Sequence, residues 1–152
     1  MKILVDADSC PVSVRNLIVR AANRRKVKAV FAANRIIPDI TNEKNPFTEM
    51  LLCPVRESSA DDQLTALAEP GDLAVTRDIP LAARFLKAGA AVLDDRGRIY
   101  EEENIRERLS LRNFTVTLAE NGYDFERCAG YGKRELKAFA ASFDKLLTKL
   151  NK

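Results

Sequence analysis

A chain of 152 residues with 46% hydrophobic and 31% charged side chains is long enough for one packed domain and has the composition of one. It contains no histidine, which excludes Ser-His-Asp triads, Cys-His dyads, histidine bases and histidine-held metals. The net charge is +3, with 10 basic and 10 acidic side chains in residues 1–76 and 15 and 12 in residues 77–152, a surplus too mild to argue by itself for a nucleic-acid partner.

Lys2 to Val5 is a short apolar run that stops at Asp6 and reads as a first strand. Pro11 suits the first turn of a helix, with Asp8 or Ser9 as its cap. Val14, Leu17, Ile18, Ala21 and Ala22 then recur at helical spacing, and Arg24, Arg25 and Lys26 close the helix at its negative dipole end. Val27 to Ala32 is a second strand. Residues 33–48 hold two prolines, three asparagines and no period, and read as a long loop. Met50 to Val55 is β-compatible, and Ser58 or Ser59 can cap a helix from about Ala60 to Ala68. After the Pro70-Gly71 break, Leu73 to Val75 is a buried-type strand. Pro80 opens a helix that Gly89 ends, and Ala90 to Leu93 is a further strand. Arg96-Gly97-Arg98 is a turn, a helix runs from about Glu102 to Leu111, and 121–132 is irregular. From Lys133 to about 150, an amphipathic helix puts Leu136, Phe139, Phe143, Leu146, Leu147 and Leu150 on one stripe. Alternating strands and helices with no repeat or linker predict one α/β domain over 1–152 with a mostly parallel sheet.

Cys10, Cys53 and Cys128 form no C-x-x-C pair, so a zinc knuckle or thioredoxin motif has no support; an odd, unpaired set fits a reducing cytoplasm, the expected location. The N-terminal apolar run is too short for a signal peptide or anchor, and no stretch approaches the ~18 apolar residues of a membrane span.

Three apolar strands run straight into aspartates: Val5 into Asp6 and Asp8, Val75 into Asp78, Leu93 into Asp94 and Asp95. In a parallel sheet these carboxyl ends share the edge where ligands bind. Asp61 and Asp62, in the first turn of a helix, join that edge if the preceding strand is parallel to the rest. Clustered carboxylates repel one another unless a cation compensates, and an all-oxygen set suits Mg²⁺ or Mn²⁺. Each aspartate taken singly is equally an ordinary helix or turn cap. The Asp6/Asp8 pair is the least ordinary, since one cap suffices.

The segments Val5-Asp6-Ala7-Asp8-Ser9-Cys10-Pro11, Ala60-Asp61-Asp62, Gly71 through Ala82, and Leu93-Asp94-Asp95-Arg96-Gly97 together resemble the YaiI/YqxD family, in order and over nearly the whole chain. Ala33-Asn34 and Phe139-Ala140 also look like family positions. That family looks like a branch of the PIN-like nuclease superfamily. The resemblance implies a three-layer α/β/α PIN-like fold with an acidic Mg²⁺ or Mn²⁺ site that cuts RNA or a related nucleic acid. It implies Asp6, Asp61 with its neighbour Asp62, and Asp78 as metal acids, Thr76 as the hydroxyl of the T-x-D pattern, and Asp8 as an assisting acid. Ser9 for alanine, Arg77 inside T-x-D and Asp95 for proline depart from the family pattern without removing a ligand.

Two other readings stand beside a nuclease. In a haloacid-dehalogenase-type phosphatase, Asp6 would be nucleophile, Asp8 acid–base, Lys87 the charge stabiliser and Asp94/Asp95 the metal acids; Cys10-Pro11 after D-x-D is unusual for it and Asp61 has no task. A PIN-like module that binds RNA or protein without turnover would keep the acids as caps or for a structural metal, and a homodimer or a protein partner fits either case. Asn34, Arg77, Arg96 and Lys133 are candidate phosphate contacts. Cys10 precedes a helix N-terminus, which favours a thiolate, but the arginine of a cysteine phosphatase loop is missing because position 16 is Asn16; a small buried residue is the plainer reading.

Overall fold

The computed structural model describes residues 1–35, 37, 46–53, 59–120 and 131–151, with backbone alone at 59–60 and 112–120. Cys128, the Ser58 cap, the end of the strand expected to reach Val55, and most of the loop at 33–48 and of the irregular stretch at 121–132 lie outside the described residues.

The elements follow in order: β1 (Ile3–Asp6), a 3-10 turn (Ala7–Ser9), α1 (Val12–Arg25), β2 (Ala29–Ala33), β3 (Thr48–Leu52), α2 (Ser59–Leu67), β4 (Leu73–Val75), α3 (Ile79–Lys87), β5 (Ala91–Leu93), β6 (Ile99–Tyr100), α4 (Glu102–Glu120) and α5 (Lys133–Leu150). The six strands form one sheet in the order β3-β2-β1-β4-β5-β6. The first five run parallel, and β6 is antiparallel to β5.

The apolar strands explain the layering. β1, β2 and β4 are buried along their whole length, as strands covered on both faces must be. Because side chains alternate, Ile3, Val5, Phe31, Leu73 and Val75 enter one core with α1 and α5, where Val14, Ile18, Phe139 and Phe143 pack. Leu4, Val30, Ala74 and Val92 enter a second core with Leu64 of α2, Phe85 of α3 and Ile105 of α4. Helices therefore flank the sheet on both sides. Among the described residues, no helix is long and apolar enough to cross a membrane.

Three local expectations change. The cap of α1 is neither Asp8 nor Ser9: Pro11 occupies the N-cap position and no side chain caps the helix. The 3-10 turn comes first and diverts both side chains, so Ser9 Oγ donates to the Asp6 carbonyl at 3.1 Å and Asp8 reaches across to β2. α4 continues to Glu120 rather than ending near Leu111, because no glycine or proline interrupts it before Gly122. The turn expected at Arg96-Gly97-Arg98 forms and returns the chain as β6, held by Asp94 Oδ1 accepting from the Arg96 and Arg98 amides at 2.9 Å each. At the C-terminus of α1, Lys26 takes the left-handed conformation (φ 57°) and its amide bonds to Ala22 O.

Candidate active site

The strand order reverses between β1 and β4. The chain leaves β1 for α1 on one face and leaves β4 for α3 on the other, so the connections diverge and open a crevice at the carboxyl ends of these two strands, the usual ligand position in open α/β sheets. Asp6 ends β1 there and is 9% exposed; Thr76 follows β4 and is fully buried. Thr76 Oγ1 donates to Asp6 Oδ2 at 3.1 Å and accepts from the Asp78 amide at 3.0 Å. Asp78 caps α3 through Oδ1, which accepts from the Leu81 amide at 3.2 Å. One hydrogen-bond chain thus links Asp6, Thr76 and Asp78 across the crevice.

Asp61 adds to this group. β3 is parallel to its neighbours, so α2 starts at the same edge, with Asp61 and Asp62 in its first turn. Burial pushes the Asp6 carboxyl above the ordinary range; hydrogen bonds from Ser9 and Thr76 oppose this, while the charges of Asp61 and Asp78 add to it. Burial likewise raises Asp61, reinforced by Asp78 and Asp62 and opposed by Arg84.

The other sequence candidates lie apart. Asp62 is exposed, and Arg84 Nη2 holds its Oδ1 at 3.0 Å. Asp8 Oδ2 accepts from the backbone amide of exposed Asn34 at 3.1 Å, which ties the ends of β1 and β2 together. Arg77 extends from the T-x-D segment to Asp95, Nη1 to Oδ2 at 3.8 Å. Arg96 lies 3.9 Å from Glu135 and over the Tyr131 ring at 5.8 Å. Lys133 is exposed at the first position of α5.

Tyr131 is the residue that sequence reasoning missed. Asp95, named from sequence as a strand-end acid, is 2% exposed, deeper than Asp6. Burial raises its carboxyl; Arg77 and Arg96 oppose the shift and Asp94 adds to it. Tyr131 donates its hydroxyl to the Asp95 carbonyl at 2.7 Å, and burial with the nearby Asp95 pushes its phenol up to about 12. Nothing in the stretch around Tyr131 repeats at a helix or strand period, so no sequence signal marks it. Cys10 is buried between these groups; desolvation, aided by Asp6 and Asp95, pushes its thiol well up. The favoured thiolate at a helix N-terminus is therefore corrected: the dipole loses to burial and to two carboxylates.

The model of the DUF188 family, described as "Uncharacterized BCR, YaiI/YqxD family", matches residues 4–149. The chain belongs to the YaiI/YqxD family. Among its relatives are a UPF0178 protein of Myxococcus xanthus, 43% identical over all of this chain and 97% of the relative's length, and one of Treponema pallidum, 45% identical over 99% of this chain and 83% of the relative. A UPF0178 protein of Treponema denticola is 43% identical over 98% of this chain and 93% of the relative. No solved structure matches.

For this YaiI/YqxD chain, the donor chemistry of the crevice suits a hard divalent cation: Asp6, Asp61 and Asp78 offer only oxygen, and each raises the electrostatic cost of its neighbours. The side chains are not gathered for it. Among the described residues, no group of three acidic or cysteine side chains stands close enough to hold a metal ion. An ion shared by the three would have to draw Asp61 and Asp78 toward Asp6.

Proposed function

We propose that this protein is a divalent-metal-dependent phosphodiesterase of PIN-like type acting on nucleic acid, with RNA the first substrate to test and the α/β/α layering that of a PIN-like fold. The observation that carries the reading is the Asp6–Thr76–Asp78 chain at the β1/β4 crevice, with Asp61 adding like charge. Such a cluster is destabilising unless it serves a cation. Asp6, Asp61 and Asp78 would hold Mg²⁺ or Mn²⁺, which supplies charge neutralisation, phosphate orientation and activation of water. Asp62 is left out because Arg84 occupies it.

The protein's own residues prepare that site. Thr76 fixes the rotamer of Asp6 by donating to Oδ2, and its oxygen is itself fixed by the Asp78 amide. Asp78 keeps one oxygen on the Leu81 amide of α3, which leaves the other outside that cap bond. The depth of Asp6 keeps water few, so charge on the phosphate is felt strongly. Arg77, in the T-x-D segment and 60% exposed, is a cation that could meet a phosphate oxygen at the rim.

The phosphatase alternative fits less well. Its charge stabiliser, Lys87, is the last residue of α3, roughly 12 Å along the helix from the end that faces the crevice. Asp94 is committed to two turn amides. The deciding experiment incubates purified protein and Asp6→Asn with labelled single-stranded RNA and Mn²⁺. Cleavage by wild type, lost in Asp6→Asn, is expected. Equal traces in both would reduce the activity to a contaminant, and RNA binding without turnover would return the non-catalytic module.

A further inference from the structure

Charge is distributed unevenly between the two helical layers. α1 carries four arginines and no acid, and α5 carries five cations and two acids. Nine cations against two acids give these helices +7 in a chain whose net charge is +3, so the remaining residues sum to −4. One acid, Asp144, is taken by Arg25, and the other, Glu135, by the Gly132 amide at 2.9 Å and by Arg96. Arg20, Arg24, Lys133 and Lys137 are exposed and form no salt bridge among the described residues.

These cations are aligned. α1 starts after β1 at the acidic edge. α5 starts there too, since Tyr131 bonds to Asp95 and Ser142 Oγ donates to Gly97 O at 2.7 Å. At the far end Arg25 reaches Thr148 at 3.0 Å, so the two helices run side by side in the same direction. Between them lies a groove of about 600 Å³, floored by Leu17, Ala21 and Ala140, with Arg20 and Arg24 on the α1 side and Asp144, paired with Arg25, on the α5 side. Lys133 and Lys137 lie two turns and one turn before Ala140 on the same stripe. From the acidic edge outward, the track therefore reads Lys133, Lys137, Arg20, Arg24, over about 20 Å of helix.

We propose that a single nucleic-acid strand lies lengthwise in the α1–α5 groove, its phosphates on Arg20, Arg24, Lys133 and Lys137 and its leading end at the acidic edge. Only the last clause rests on the proposed function; the groove binds its strand without metal. A line of cations that passes from α5 to α1 along a concave, largely apolar floor matches a polyanionic chain, whereas a flat anionic membrane would meet the helix ridges alone. A groove of about 600 Å³ takes up the backbone of one strand and not the full width of a duplex.

The test is fluorescence anisotropy with a short labelled single-stranded RNA in EDTA. Each lost phosphate contact removes about 0.7 from the slope of log K against log salt. Arg20→Gln/Arg24→Gln is expected to flatten the slope by about 1.4 and to weaken binding about 25-fold near 0.1 M salt. Lys133→Gln/Lys137→Gln, an independent pair of exposed sites, should act likewise. Lys87→Gln/Arg106→Gln, on the opposite layer, should bind as wild type. The proposal is overturned if both groove pairs bind RNA like wild type, or if wild type binds phosphatidylserine vesicles and not RNA. Binding as expected with no cleavage under Mn²⁺ would sink the nuclease reading and leave the groove standing.

Discussion

Gly97→Ala tests how α5 is docked against the β5–β6 turn. Gly97 has φ +85°, and a Cβ there would lie 2.5 Å from the Ala138 carbonyl oxygen and 2.7 Å from its carbon. Ordinary contact begins at 3.4 Å, nearly an ångström further out, and the obstacle is helix backbone, which cannot rotate away. The substitution forces a left-handed alanine, about 1 kcal/mol, pushes α5 off the sheet where Phe139 and Phe143 are buried, and strains the Ser142–Gly97 bond, about 1 kcal/mol. With the repacking of α5 at 1–2 kcal/mol, the total is roughly 3–4 kcal/mol. At this chain length that lowers Tm by about 6–16 °C. Gly71→Ala is the matched control, because its φ is +90° with nothing within 4 Å of the added Cβ. It should cost only the backbone term, about 2–4 °C. Thermal unfolding followed by circular dichroism separates the two. Equal losses in both variants would refute the close approach of α5 to this turn.

Three further outcomes follow from charge and packing. Without metal, Asp6→Asn should melt higher than wild type, since it removes a buried carboxylate pressed by Asp61 and Asp78. The folded carboxyl holds its proton more tightly than the unfolded one, so wild-type stability should fall as pH rises from the ordinary carboxylate range through the raised folded pKa; pH-dependent melts should show that fall shrinking in the variant. Asp72 is 3% exposed and accepts from the Lys2 amide at 3.0 Å, Lys2 Nζ at 2.7 Å and the Glu69 amide at 2.9 Å, so Asp72→Ala should cost about 3 kcal/mol by urea titration. Phe143, 1% exposed and stacked on Phe139 with centroids 5.3 Å apart, should cost about 3–5 kcal/mol when replaced by alanine, read in the same titration.

Much of this fold is legible in the sequence because its signals are local. β1, β2 and β4 announce themselves as short apolar runs that end at acids or turns, and the Phe139/Phe143 stripe declares α5. β6 is invisible because two residues make no period; it exists through the Asp94 turn and its pairing with β5. The cap of α1 misleads because Asp8 and Ser9 have partners nearer than the helix, in the Asp6 carbonyl and the Asn34 amide. At the site, the strand-end rule points to Asp6 and Asp78, the family resemblance to Thr76, and the parallel course of β3 brings in Asp61. Sequence cannot separate Asp61 from Asp62, since that depends on Arg84 reaching from the next helix. It also misses Tyr131, whose bond to the Asp95 carbonyl spans 36 residues of chain.

The central claim is that the crevice carboxylates form one cation site, and Mn²⁺ titration by calorimetry, paired with melting, tests it most directly. The account predicts one ion per chain and, at about 100 times Kd, stabilisation of about 2.7 kcal/mol, or about 5–10 °C in Tm. Asp6→Asn and Asp78→Asn should abolish both signals, while Asp62→Asn should keep them. No Mn²⁺ binding by wild type, or undiminished binding by Asp6→Asn, would contradict it.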